Sequence, residues 1–162
     1  MYLLATSCIS YRNDYGRKRF ICCEFTMKRN TNNQVYKIID TTKVYKLTSI
    51  LNIQGKDSTY LKETNKYFLK FYADGKVGQF FNYKNINLNS LNPKKATIGV
   101  YSYSKGALTI QTYLQTAQGG GFLKDILKKS TADFLEFGDK DYSRKYKKIN
   151  IPKEFLIYTP DW

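Results

Sequence analysis

The sequence predicts an all-β protein, an antiparallel up-and-down barrel of about eight strands behind a basic N-terminal extension. Three observations carry that prediction. Fifteen Tyr and ten Phe stand among 162 residues, and aromatic rings pack well on a pleated surface. Two stretches, Tyr67–Tyr83 around Asp74-Gly75 and Thr97–Leu114 around Ser104-Lys105-Gly106, alternate side chains with a period of two on both sides of a turn signal. From Val44 onward about eight such runs follow one another, joined by short links apart from Asn85–Lys95. Short strands in unbroken antiparallel succession favour closure, because a barrel has no unpaired edge. The length fits one domain with a real core.

The chain starts MYLLATSC. Tyr2–Ala5 is apolar, Thr6-Ser7 is small, and Cys8 follows. This resembles the end of a bacterial lipoprotein signal peptide, in which the cysteine receives diacylglycerol. No basic region precedes it, and the apolar run is shorter than a secretory core of about 7–15 residues. A start codon placed too far downstream would account for both departures; the alternative is an apolar N-terminus with a chance cysteine. On the first reading Cys8 is the site of lipid attachment, residues 1–8 are a truncated signal-like segment, 9–43 a basic extension and 44–162 the barrel. No stretch holds the roughly 20 consecutive apolar residues that a membrane-spanning helix needs.

Four of the five arginines, Arg12, Arg17, Arg19 and Arg29, lie in the extension. Next to a lipid anchor such charges would add attraction to anionic headgroups, about 1 kcal/mol per well-placed residue; a solvated basic tether explains them equally. Phe20–Phe25 reads as an extra strand or a segment packed across a barrel end. Cys22 and Cys23 read as free thiols, since neighbouring cysteines rarely reach disulfide geometry.

Val35–Ile39 and Val44–Ile53 are strand-like, with a turn at Gly55–Ser58. In the following hairpin, Asp74-Gly75 reads as the centre of a type I′ turn, whose two central residues both need positive φ. Thr97–Tyr103 and Ala107–Leu114 form the second hairpin. Gly119-Gly120-Gly121 lacks the Lys-Ser or Lys-Thr of a phosphate-binding loop and reads as a bulge or bend at the start of a strand. Phe122–Leu127, Thr131–Phe137 and Tyr142–Ile149 complete the strands, with a short helix over Leu123–Lys129 as an alternative. Lys153–Tyr158 reads as a helical turn or extended cover that lays Phe155 and Leu156 on the barrel.

With NKYFLKFYADGKVGQF, IGVYSYSKGALTIQTY, GGGFLKDI and the terminal IPKEFLIYTPDW in view, residues 44–162 resemble small lipocalin-like (calycin-type) lipoproteins of the Bacteroidetes. The resemblance implies a calycin-type barrel and an apolar ligand, and transfers no site. The Gly-x-Trp of classical lipocalin first strands is absent, and the only tryptophan is Trp162.

The net charge of +14 comes from 27 basic and 13 acidic residues. Most of the basic residues are lysines, which act as hydrated point charges rather than bidentate readers of phosphate and guanine. A dedicated nucleic-acid site is therefore not expected. The sequence contains no histidine, which removes the usual general base, the commonest metal ligand and any Ser-His-Asp or Cys-His mechanism. Three cysteines without histidine make a poor zinc set. Of the carboxylates, Asp139 with Asp141 and Asp133 with Glu136 stand closest, in an apparent turn and on opposite strand faces. No enzyme activity, metal or cofactor is expected.

Binding remains. Tyr67, Tyr72, Tyr101, Tyr103 and Tyr113 suit either a mixed cavity or simple packing. Alternation places Tyr67, Leu69, Phe71, Val100 and Ile110 as candidate ligand-lining residues; a one-residue slip would move them all outside. The functional expectation is a lipid-anchored protein of the cell envelope, with the outer membrane the favoured side, that binds a small hydrophobic or amphiphilic molecule. One alternative is a filled barrel acting through its basic surface on an anionic polymer or another protein. Another is a soluble inhibitor or immunity-type barrel in the cytoplasm, if the cysteine is there by chance.

Overall fold

The computed structural model describes residues 10–20, 25–52, 67–81, 86–116 and 119–162. Cys8, Cys22, Cys23 and the turn expected at Gly55–Ser58 lie outside the described residues.

Among the described residues ten strands are formed: β1 (Ser10–Arg12), β2 (Lys18–Phe20), β3 (Lys43–Asn52), β4 (Phe68–Phe71), β5 (Lys76–Phe80), β6 (Thr97–Ser104), β7 (Ala107–Thr116), β8 (Gly119–Ser130), β9 (Phe134–Gly138) and β10 (Tyr142–Asn150). β1 and β2 make a small separate sheet, while β3 to β10 pair in sequence order and β10 closes onto β3. Every ladder is antiparallel. The expected eight-stranded up-and-down barrel is present.

The two hairpins turn differently. Lys105 (φ 52°) and Gly106 (φ 79°) both take positive φ between the paired Ser104 and Ala107, as a two-residue type I′ loop requires. At Asp74-Gly75 only Gly75 is positive (φ 80°), and the Tyr72 amide donates to the Lys76 carbonyl at 2.9 Å. The loop is thus three residues long with glycine in the left-handed position, and the type I′ expectation there is corrected. Asp74 instead accepts from the Lys76 amide at 3.3 Å and pairs with the Lys76 ammonium at 2.8 Å.

Two further corrections concern local form. Val35–Ile39 is not a strand: Asn33–Lys37 is a 3-10 turn capped by Asn32, whose side chain accepts from the Gln34 amide at 2.9 Å. Tyr36 donates to the Ala73 carbonyl at 2.7 Å, and Val35 and Ile39 enter the core, so this turn plugs one end of the barrel. The glycines 119–121 form no bulge, because they pair residue for residue with Thr116, Gln115 and Leu114. Bulges fall instead at Leu127/Lys129 and Lys145/Tyr146.

Two apolar clusters form. The inner one includes Tyr45, Leu47, Leu69, Phe71, Val77, Tyr101, Leu108, Ile110, Leu135, Phe137 and Tyr146. Edge-on ring contacts join Tyr45, Phe71 and Tyr101 within it. The outer cluster holds Val44, Phe68, Phe80, Leu91 and Ala96, with Ile151, Phe155 and Trp162 packed against it. The C-terminal segment is therefore a cover, and residues 153–157 form a 3-10 turn. Gly78 leaves the space that Trp162 fills: a Cβ there would lie 3.4 Å from the indole and 3.2 Å from Ala96.

The extension follows the outside of the barrel. The Asn30 amide donates to the Tyr101 carbonyl at 2.8 Å, and the Asn30 side chain accepts from the Tyr103 amide at 3.0 Å. Gln111 accepts from the Met27 amide and donates to the Thr26 hydroxyl, each at 3.1 Å.

Candidate functional site: the mouth of the barrel

Opposite the turn at Val35–Ile39 lies the end at which β3 ends, β4 begins and β8 starts, here called the mouth on the basis of the described residues alone. A cavity of about 250 Å³ opens there, just below the usual range of about 300–1,000 Å³ for ligand pockets. Its wall is mostly apolar, with Leu47, Ile50, Phe81, Leu114 and Leu123, while Tyr67, Gln79, Thr112, Arg144 and Tyr146 supply polar atoms. Strand alternation builds it: Leu47 from β3, Gln79 from β5, Thr112 and Leu114 from β7, Leu123 from β8, Arg144 and Tyr146 from β10. The Tyr67 ring meets Phe81 edge-on, centroids 5.0 Å apart.

Arg144 is the one cation lining this cavity among the described residues. Its Nη1 donates to Asp125 Oδ1 at 2.8 Å, and Asp125 is buried. Burial pushes the Asp125 carboxyl above its usual range, against the pull of Arg144. Tyr146, buried beside them, is also pushed up by burial. An ion pair inside an apolar lumen loses hydration on both partners. Arg144 carries five N–H donors on a planar fork, so the mouth offers an apolar wall with a directional donor.

Of the sequence candidates, only Tyr67 lines the cavity. Leu69, Phe71 and Ile110 face inward as expected but lie in the packed core below it. Val100 does not face the lumen. It pairs with outward-facing Gln111, while its neighbour Tyr101 faces inward opposite Ile110. Both faces of β6 are buried, so the more aliphatic face was no guide to the inside. Tyr101 donates to the Tyr72 carbonyl at 2.6 Å. Tyr72 and Tyr113 stand outside, against Trp162 and against Phe20 and Phe122 respectively.

Sequence reasoning missed Arg144, Asp125, Gln79 and Leu123. A signal existed for the first two: Asp125 alternates between Leu123 and Leu127, and Arg144 shares the face of Tyr146. The acid pairs form no constellation of their own. Asp139 caps its turn, accepting from the Asp141 and Tyr142 amides at 2.8 Å each, which holds its carboxyl below the usual range. Glu136 accepts from the Ser143 hydroxyl on the outer wall, and Asp133 lies in the turn before β9. Among the described residues no three Cys, Asp or Glu side chains converge as metal ligands, and no helix is long and apolar enough to cross a membrane.

No family model, no curated protein and no solved structure matches the chain, and the closed antiparallel barrel of eight strands is consistent with a lipocalin-like fold.

Proposed function

We propose that the protein is a non-enzymatic, lipid-anchored lipocalin-like protein of the bacterial cell envelope that takes a small hydrophobic or amphiphilic molecule into the mouth of its barrel. The observation that carries this reading is the apolar cavity with Arg144 in its wall. Its small volume selects a short ligand, because the lumen beneath is filled by Phe71, Tyr101 and Phe137. The anchor rests on Thr6-Ser7-Cys8 alone.

The test is native mass spectrometry of the chain expressed from an upstream start and extracted from envelopes. The expected spectrum shows cleavage before Cys8, acyl chains and one additional small molecule. In Leu114→Trp, where the indole replaces a half-exposed side chain at the rim, the acyl chains remain and the small molecule disappears.

A second reading is favoured by the outer wall around β9 and β10. There Lys145 and Lys129 lie 4.0 Å and 5.9 Å from the centre of the Phe134 ring, and Lys147 lines the same hollow. This face suits an anionic polymer. An acylated chain that carries no small molecule would move the assignment to it.

A further inference from the structure

A second cavity lies on the outer wall, apart from the mouth. It measures about 250 Å³ and sits between β4 and the C-terminal cover. Lys70 and Tyr72 project into this region from the outward face of β4, while Leu91, Phe155, Leu156 and Tyr158 supply an apolar wall. Lys70 is only 5% exposed. Its ammonium donates to the Thr41 carbonyl, and no carboxylate among the described residues lies within ion-pair distance of it. Asp40, the nearest acid acting on it, pairs with Lys43 at 3.8 Å and caps Thr42. The Tyr72 hydroxyl is buried with no hydrogen-bond partner among the described residues.

Each of these features is costly alone. A buried ammonium without a counter-anion loses its hydration uncompensated, and a buried hydroxyl without a partner forfeits its hydrogen bond. Of the two, only Lys70 can meet a ligand, because the Tyr72 hydroxyl has no surface open to the cavity. A ligand on Lys70 must accept hydrogen bonds, carry negative charge and fit a small apolar hollow.

We propose that the cavity around Lys70 binds a small monocarboxylate with an apolar body, its carboxylate on the Lys70 ammonium. Burial lowers Lys70 to about 8 even with Asp40 nearby, the behaviour of a cation short of a partner; the bound carboxylate would restore it. The site is independent of the mouth, so either can fail without the other.

The test is a titration with benzoate, and with benzamide as its uncharged isostere, followed on the side-chain NMR resonances of Lys70 at neutral pH. Benzoate is expected to give a saturable shift, and benzamide to bind at least about tenfold more weakly, as loss of a charge-assisted hydrogen bond implies. Lys70→Met, which keeps the stem and removes the charge, should abolish benzoate binding followed by calorimetry in a Leu114→Trp background, where the mouth is filled. Leu114→Trp alone should leave the affinity read on the Lys70 resonances unchanged. No saturable shift, equal affinity for the two probes, or binding that survives Lys70→Met would overturn the proposal.

Discussion

Lys70 and the buried tyrosines make stability depend on pH in opposite directions. Below about 8 the folded protein carries a buried Lys70 ammonium, whereas the unfolded chain holds its lysine proton up to an ordinary value near 10.4. Between those values the unfolded state binds more protons, so stability rises with pH, by at most about 1.4 kcal/mol per unit. Tyr45 is pushed up to about 12 by burial, and Tyr72, Tyr101 and Tyr146 are pushed up as well. Above about 10 the unfolded tyrosines ionise first, and stability falls. Urea midpoints should therefore climb from pH 8 to a maximum near 10 and then drop. In Lys70→Met the climb should vanish and the drop remain; a climb that persists would exclude Lys70 as its source. This residue was legible only in part. Alternation puts Lys70 opposite Leu69, but an outward lysine is ordinarily solvated, and nothing local announces that the C-terminal segment will cover it.

Elements were more legible than the residues they position. The Lys105-Gly106 hairpin follows from two clean alternating runs around a turn signal, and both arms formed. The Asp74-Gly75 hairpin stands where its sequence places it, yet with one more loop residue, because Asp74 uses its carboxylate on Lys76 instead of adopting positive φ. The stretch 35–39 misled because β-branched residues suit a strand, while here they enter a barrel end with no free strand to pair. Lys105 pays a small conformational cost at φ 52°, which Asn bears more easily. Lys105→Asn should therefore raise stability by about 0.5 kcal/mol, read as a higher thermal midpoint with an unchanged far-ultraviolet spectrum.

At the scale of the molecule, Arg19 joins three separate stretches. It is 1% exposed, pairs with Asp161 at 3.1 Å, and donates to the carbonyls of Pro93, Lys94 and Ala96 at 3.0–3.2 Å. Its guanidinium lies 5.3 Å from the centre of the Trp162 ring. Read in sequence, Arg17-Lys18-Arg19 is a basic cluster for solvent or headgroups; its real partners lie far along the chain, where no local pattern points. Arg19→Met removes one member of a buried pair and takes a donor from three carbonyls, of which Pro93 and Lys94 keep one each from the Ala96 amide and the Asn13 side chain, and should cost about 3 kcal/mol. A lower urea midpoint at unchanged slope would show it; an unchanged midpoint would refute it. The ladder between β3 and β10 has a consequence of another kind. It pairs Val44 with Ile149, nearly opposite ends of the barrel sequence, and rewards the chain only after a long loop has been closed. Such distant pairing slows folding toward milliseconds or seconds. The last strand of the barrel is the one that seals it, so during synthesis β3 waits with an open edge until β10 has left the ribosome.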